Sequence, residues 1–212
     1  MLLMPETVVR EPGRSWRPRR PALPESRGPF APAAASAFCA FAVAGLFASL
    51  GPSLVQGLSG TKNVAVGGGA TFVNLAATVA AQAALRSVSN RTAVRTGLPA
   101  LAVGLGLLLW SMAQGSVALV LLAAAVVGFG TGLSFMGSLA AVNAISEARE
   151  RGVVASSYFV VAYLAPPVAA LSTGVLADRL GLFPAVTIFA LVTSSVALLL
   201  AGAASRIGLE AA

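Results

Sequence analysis

Six apolar runs, each near the thickness of a bilayer, follow one another through this chain with only short polar joints between them. A hydrocarbon core takes roughly 20 helical residues, within about 17 to 25. The runs predict membrane-crossing helices at Ala31–Leu54, Val64–Leu85, Thr96–Met112, Val117–Ala144, Gly152–Ala177 and Leu182–Ala204. Only 10% of the residues are charged, against about 25% in a soluble domain, so too little polar surface exists to cover a water-soluble globule. The predicted fold class is therefore all-α, a polytopic membrane protein of six helices. The short joints predict antiparallel neighbours.

The charges are placed as such a topology requires. Residues 1–30 form an Arg- and Pro-rich tail with six Arg, three Glu and six Pro. Proline spoils helix interiors and central strands, so this tail is expected to be extended. Arg86, Arg91 and Arg95 flank the second joint, Arg149 and Arg151 the fourth, and Arg206 lies in the short C-terminus, 205–212. Counted with the tail, twelve of the fourteen basic residues fall on one side of the predicted membrane, leaving Lys62 and Arg179 on the other. Cytoplasmic loops carry the excess of Lys and Arg. Both termini are thus expected in the cytoplasm, with 31–204 as the transmembrane domain in a cell membrane. A net charge of +7 could suit nucleic acid, but basic residues flanking apolar runs answer to the lipid bilayer instead, and no nucleic-acid partner is expected.

Absences narrow the chemistry. The sequence has no His and a single Cys, Cys39. That argues against haem, most zinc sites and His-dependent catalysis, and no disulfide can form within the chain. An intramembrane serine protease would need a His or Lys base, and the one lysine, Lys62, falls in an outer joint. No catalytic residue, metal site or cofactor is expected, and the chain does not read as an enzyme. It also lacks the rings of charge or carbonyl filter sequences that channels use.

Polar residues inside the spans fall at helical spacing. Thr71, Asn74, Thr78 and Gln82 share one face of the second span; Ser49, Ser53 and Gln56 share one of the first; Thr131, Ser134 and Ser138, with Phe135 beside them, share one of the fourth. Such stripes face protein or a wet cavity rather than lipid. Helix–helix hydrogen bonding and cavity lining are both open readings. The third span is almost free of polar residues until Ser111 and is expected to face lipid. Gly128 and Gly132 form a G-x-x-x-G pair that admits a second backbone, and Gly67, Gly68 and Gly69 are expected to do the same. Pro52 and the pair Pro166-Pro167 are expected to bend their helices, a device found along transporter substrate paths.

The six spans divide into two triplets, each with an Arg-bearing turn after its second helix: Asn90-Arg91-Thr92-Ala93-x-Arg95 in the first, Asp178-Arg179-Leu180-Gly181 in the second. Three crossings put these turns on opposite sides, the mark of a 3+3 inverted repeat. Gly174-x-x-x-Asp178-Arg179-x-Gly181 resembles the Gly-x-x-x-Asp-Arg-x-Gly turn of the major facilitator superfamily, and Asn90–Arg95 resembles a degraded copy. Met4-Pro5-Glu6-Thr7 looks like the end of that family's sixth helix, and Glu147–Val160 is similar to its turn before the eleventh. The resemblance covers nearly the whole chain as the family's C-terminal half. It implies alternating-access transport, export above all, of a small-molecule substrate, coupled to a proton or another ion, and completed by a missing N-terminal half or a second half-unit. The alternative is a non-transporting subunit, or a fragment that needs its partner half. It further implies that the first and fourth helices line a cavity, which points to Ser49, Ser53, Gln56, Thr131, Ser134, Phe135 and Ser138. The turns at Gly174–Gly181 and Asn90–Arg95 would act as conformational latches. No mid-membrane carboxylate is present to couple a proton.

Overall fold

The structure, a computed structural model, describes residues 27–60, 64–147 and 150–204. The tail through residue 26 with its Met4-Pro5-Glu6-Thr7, the joint at Lys62, Arg149, and the C-terminus from 205 with Arg206 lie outside the described residues. Six helices follow in order: α1 (Arg27–Ser59), α2 (Val64–Ala84), α3 (Asn90–Gln114), α4 (Val117–Ala144), α5 (Arg151–Leu180) and α6 (Leu182–Ala203). Among the described residues there is no strand. Among the described residues, five helices, α1, α3, α4, α5 and α6, are long and apolar enough to cross a membrane.

α4 is the axis of the bundle, because its glycines admit neighbours on two sides. On one side a Cβ at Gly128 would collide with the Asn74 carbonyl oxygen of α2, and one at Gly132 would lie 2.6 Å from the Thr78 oxygen. On the other side, Gly130 sits against α3, where an added Cβ would stand 2.7 Å from the Gly97 carbonyl oxygen. Small residues of this kind let helix backbones approach closely in lipid, where burial of apolar surface gives little drive and van der Waals packing decides association. The expected role of Gly128 and Gly132 is therefore met. That of Gly68 and Gly69 is not: Gly68 faces open space, and Gly69 meets only the tip of Leu121 at 4.0 Å.

The third span departs from expectation. Val94, Leu98, Leu101, Leu105 and Leu108 recur at the 3.5-residue spacing of a helix seam. All five are buried in the main core against Val120, Ala123, Ala124 and Val127 of α4. Only its outer face, with Val103 and Trp110, is exposed. A uniformly apolar helix carries no polar marker to separate its buried face from its lipid face, so composition alone misplaced it.

Helix ends also shift. α3 begins at Asn90 rather than Thr96. The Ser89 hydroxyl caps it by accepting from the Thr92 N–H at 3.2 Å, so Asn90–Arg95 is the first part of a helix and not a turn. α1 begins at Arg27, and Phe30 is already buried. α5 and α6 are joined by Gly181 alone, with φ +88°, a conformation glycine adopts without steric cost. α5 continues through Pro166-Pro167, as α1 does through Pro32 and Pro52. The proline pair is a contact surface: a Cβ at Gly45 of α1 would lie 2.6 Å from the Pro166 Cα.

The result is a pairing in which α1 packs on α5 and α4 packs on α2. The two sides are not equivalent throughout. α3 lies along α4 over its length, whereas α6 packs mainly on α3 and α5 and touches α1 little.

Candidate functional site

Between α1, α2 and α4 lies a cleft of about 180 Å³ lined by Phe41, Ala44, Asn74, Leu75, Thr78, Gln82, Thr131 and Phe135. Its polar groups come from the α2 stripe and from one position of α4. All but Gln82 are held by bonds to backbone. The Asn74 Nδ2 donates to the Ala124 carbonyl at 3.2 Å. Four residues on, the Thr78 hydroxyl reaches the Gly128 carbonyl at 3.1 Å and its own helix at Asn74 O, 2.8 Å. Thr131 Oγ1 reaches the Ala40 carbonyl of α1 at 3.5 Å, and Thr71 at the edge of the stripe donates to the Phe47 carbonyl at 3.1 Å. Both readings of the stripe are thus realised in the same side chains. They tie α2 to α4 and α1, and the surfaces they leave free line the cleft.

The other wall is aromatic. Phe41 meets Phe135 edge-on, with ring centroids 5.3 Å apart, and meets Tyr163 edge-on at 5.6 Å. Phe135 stacks on Tyr158 at 6.3 Å, and Phe159 stacks on Tyr163 at 5.7 Å. All these separations fall within the 4.5–7 Å favoured by aromatic pairs. The cluster links α1, α4 and α5. Tyr158 is fully buried and shares a 2.7 Å hydrogen bond with Ser138, while Tyr163 stands 63% exposed at the open side.

Of the residues the sequence singled out, Asn74, Thr78, Thr131 and Phe135 meet in this cleft. Ser134 does not: it is fully buried against α3, where its Oγ would be 2.5 Å from a Cβ on Gly97. Ser138 is committed to Tyr158. Ser49 and Ser53 are exposed on α1, Ser49 returning its hydroxyl to the Gly45 carbonyl at 2.8 Å, and neither lines the cleft; nor does Gln56. Thr131, Ser134 and Ser138 diverge because α4 is surrounded, so one narrow helix face touches α1, α3 and α5 in turn. Phe41 was missed altogether; its only signal was its position one turn before Gly45.

The two turn motifs are unlike. Asp178 and Arg179 are exposed at the end of α5 and, among the described residues, form no ion pair; adjacent helical positions do not face each other. A Cβ at Gly174 would meet nothing, so only Gly181 has a local structural need for glycine. Asn90 and Arg91 are half-buried and Arg95 exposed along the start of α3.

A larger groove of about 310 Å³ runs between α1, α5 and α6, past Phe38, Cys39, Val168, Ile188 and Val192. Its side chains are almost all apolar; Ser172 bonds its own helix at the Ala169 carbonyl, and the buried Thr173 Oγ1 has no hydrogen-bond partner among the described residues. The smaller cleft has the more polar lining of the two, with Asn74, Thr78, Gln82 and Thr131. Among the described residues no group of His, Cys, Asp or Glu could hold a metal ion. Comparison with protein-family models, with curated proteins and with solved structures found no match.

Proposed function

We propose that the chain is half of a secondary transporter of the major facilitator type, moving a small molecule across a cell membrane by alternating access, with export as the direction. The observation that carries this reading is the α1–α2–α4 cleft, where amide and hydroxyl groups meet aromatic rings inside an otherwise apolar helix bundle. Substrate sites of such carriers lie where repeats meet near the midplane. Two further features support it. The glycine-mediated crossings α1–α5 and α4–α2 are the pair that a 3+3 inverted repeat would exchange. And Leu75 of the lining and Tyr163, which meets Phe41 of the lining, are both exposed, where a second six-helix unit would close the site.

In this reading the bilayer and a second half, an N-terminal one or another copy, are the partners. Both chain ends face the cytoplasm, and the machinery needs no catalytic residue or cofactor. Arg86, Arg91, Arg95 and Arg151 lie at one set of helix ends and Arg179 at the opposite end of α5, which suits that orientation. The α5–α6 joint at Gly181 would flex as the halves rock, and a proton or other ion would drive the cycle from the other half, since the cleft holds no carboxylate.

A second reading, a non-transporting membrane subunit, draws support from the use of Asn74 and Thr78 as helix ties. Flux into vesicles separates the two. Transport by the chain together with a complementary half, lost in Phe135→Ala, is the expected result; absence of flux from the chain alone and from every combination with a second half contradicts the proposal.

A further inference from the structure

The hydrogen-bond pattern of the cleft restricts what it can hold. One N–H of the Asn74 amide and the hydroxyls of Thr78 and Thr131 point to backbone carbonyls, at Ala124, at Gly128 and Asn74, and at Ala40. A hydroxyl that has spent its proton this way still offers oxygen lone pairs, and the Asn74 amide keeps its oxygen and a second N–H. The Asn74 amide oxygen and the two threonine oxygens are therefore left as acceptors. Gln82 is the remaining polar residue of the lining, half-buried, and no described residue bonds its amide. Among the described residues no Lys, Arg, Asp or Glu lines the cleft. The nearest cation on these elements, Arg86, is exposed at the end of α2, one helical turn beyond Gln82. Sharing the lining with these acceptors are Phe41 and Phe135, whose rings meet edge-on.

An anion needs positive charge or several donors, and the described lining offers no cation and only the Gln82 NH₂ and the second N–H of Asn74. A group bearing N–H protons needs acceptors, and a cation is further attracted to aromatic faces, most strongly where water is excluded. From the juxtaposition of a lining without cationic side chains, free acceptor oxygens and paired phenyl rings, we infer that the cleft selects planar aromatic ligands carrying N–H donors, cationic or neutral, and rejects carboxylates and phosphates. The volume of about 180 Å³ is on the scale of the ~150 Å³ cavity that takes up benzene, so one or two rings enter and the remainder projects toward the open side. The inference rests on the cleft being the substrate site of the proposed carrier, but it concerns binding and can be tested without transport.

The test is a pair of three-ring probes of opposite charge: proflavine, a planar cation with amino donors, and 9-anthracenecarboxylate. Each is titrated by fluorescence against the full chain in phosphatidylcholine nanodiscs, with empty discs subtracted. The expected result is that proflavine binds at least about tenfold tighter than the carboxylate, a difference of roughly 1.4 kcal/mol. Phe135→Leu and Gln82→Leu should each weaken proflavine severalfold, while Arg86→Gln leaves it unchanged. Equal or tighter carboxylate binding overturns the inference, the more so if Arg86→Gln abolishes it, since the rim charge would then be the recognition element. Proflavine binding that is indifferent to both Phe135→Leu and Gln82→Leu also overturns it. Selective binding without flux in vesicles would sink the carrier reading alone; flux of another solute with unselective dye binding would sink this inference alone.

Discussion

Two helix crossings, α4 on α2 and α1 on α5, use the same device and end with different mechanical characters. Each brings a glycine against the partner's backbone: Gly128 against Asn74, Gly45 against Pro166. At α4–α2 the approach is then fixed by side-chain bonds to successive turns of α4, Asn74 to Ala124 and Thr78 to Gly128. At α1–α5 the close contact is made by a proline ring, and Phe41 and Tyr163 meet edge-on beside it. Hydrogen bonds have a required length and direction, so the first crossing holds its register; ring edges tolerate sliding, so the second can shift. The contrast teaches that α2 and α4 are held in register by directional bonds, whereas α1 and α5 can slide along each other at their crossing.

The largest effect is expected where the fixed crossing is forced apart. Gly128→Leu drives a side chain into the Asn74 carbonyl, and since overpacking costs typically 1–3 kcal/mol and sometimes more, it should fall at or above the top of that range. The readout is the midpoint of denaturation by SDS in mixed micelles. Gly45→Leu makes the same intrusion at the crossing that can yield and should cost less, nearer about 1 kcal/mol. If the two variants were equally damaged, the contrast between the crossings would be wrong.

Next comes Asn74→Leu, which removes one rung of the α2–α4 ladder. Interhelical hydrogen bonds in membranes average about 0.6 kcal/mol and reach about 1.7, and the buried site places Asn74 in the upper half of that range. Smallest is Asp178→Asn: an exposed side chain with no ion pair among the described residues should change stability by less than about 0.5 kcal/mol. A larger loss would mean that Asp178 has a structural partner after all.

Much of this arrangement was legible in the sequence, and what was not has a common cause. Run length placed α2 and α4 closely, and spacing put Thr71, Asn74 and Thr78 on one face. It did not say which neighbour that face would meet. The start of α3 was misread because Arg91 and Arg95 were taken to mark the end of the apolar helix, whereas a capped helix can continue past the lipid boundary. The Leu98–Leu108 seam was visible in its 3.5-residue period but hidden by apolar residues on every side. Gly45 and Pro166 lie far apart in the chain, so nothing local announced that they touch. Periodicity defines faces; only packing decides what they face, and in lipid a polar residue is the one marker that betrays an inward side.

The most direct test of the central claim compares two positions by thiol labelling. In a Cys39→Ser background, Thr78→Cys and Val103→Cys are exposed in intact membranes to a water-soluble maleimide. Thr78 lines the cleft, and Val103 stands on the outer face of α3. The account predicts labelling at position 78 and none at 103, where the lipid excludes the reagent. Labelling of both positions alike, or of 103 alone, would contradict a water-accessible cleft inside a membrane bundle.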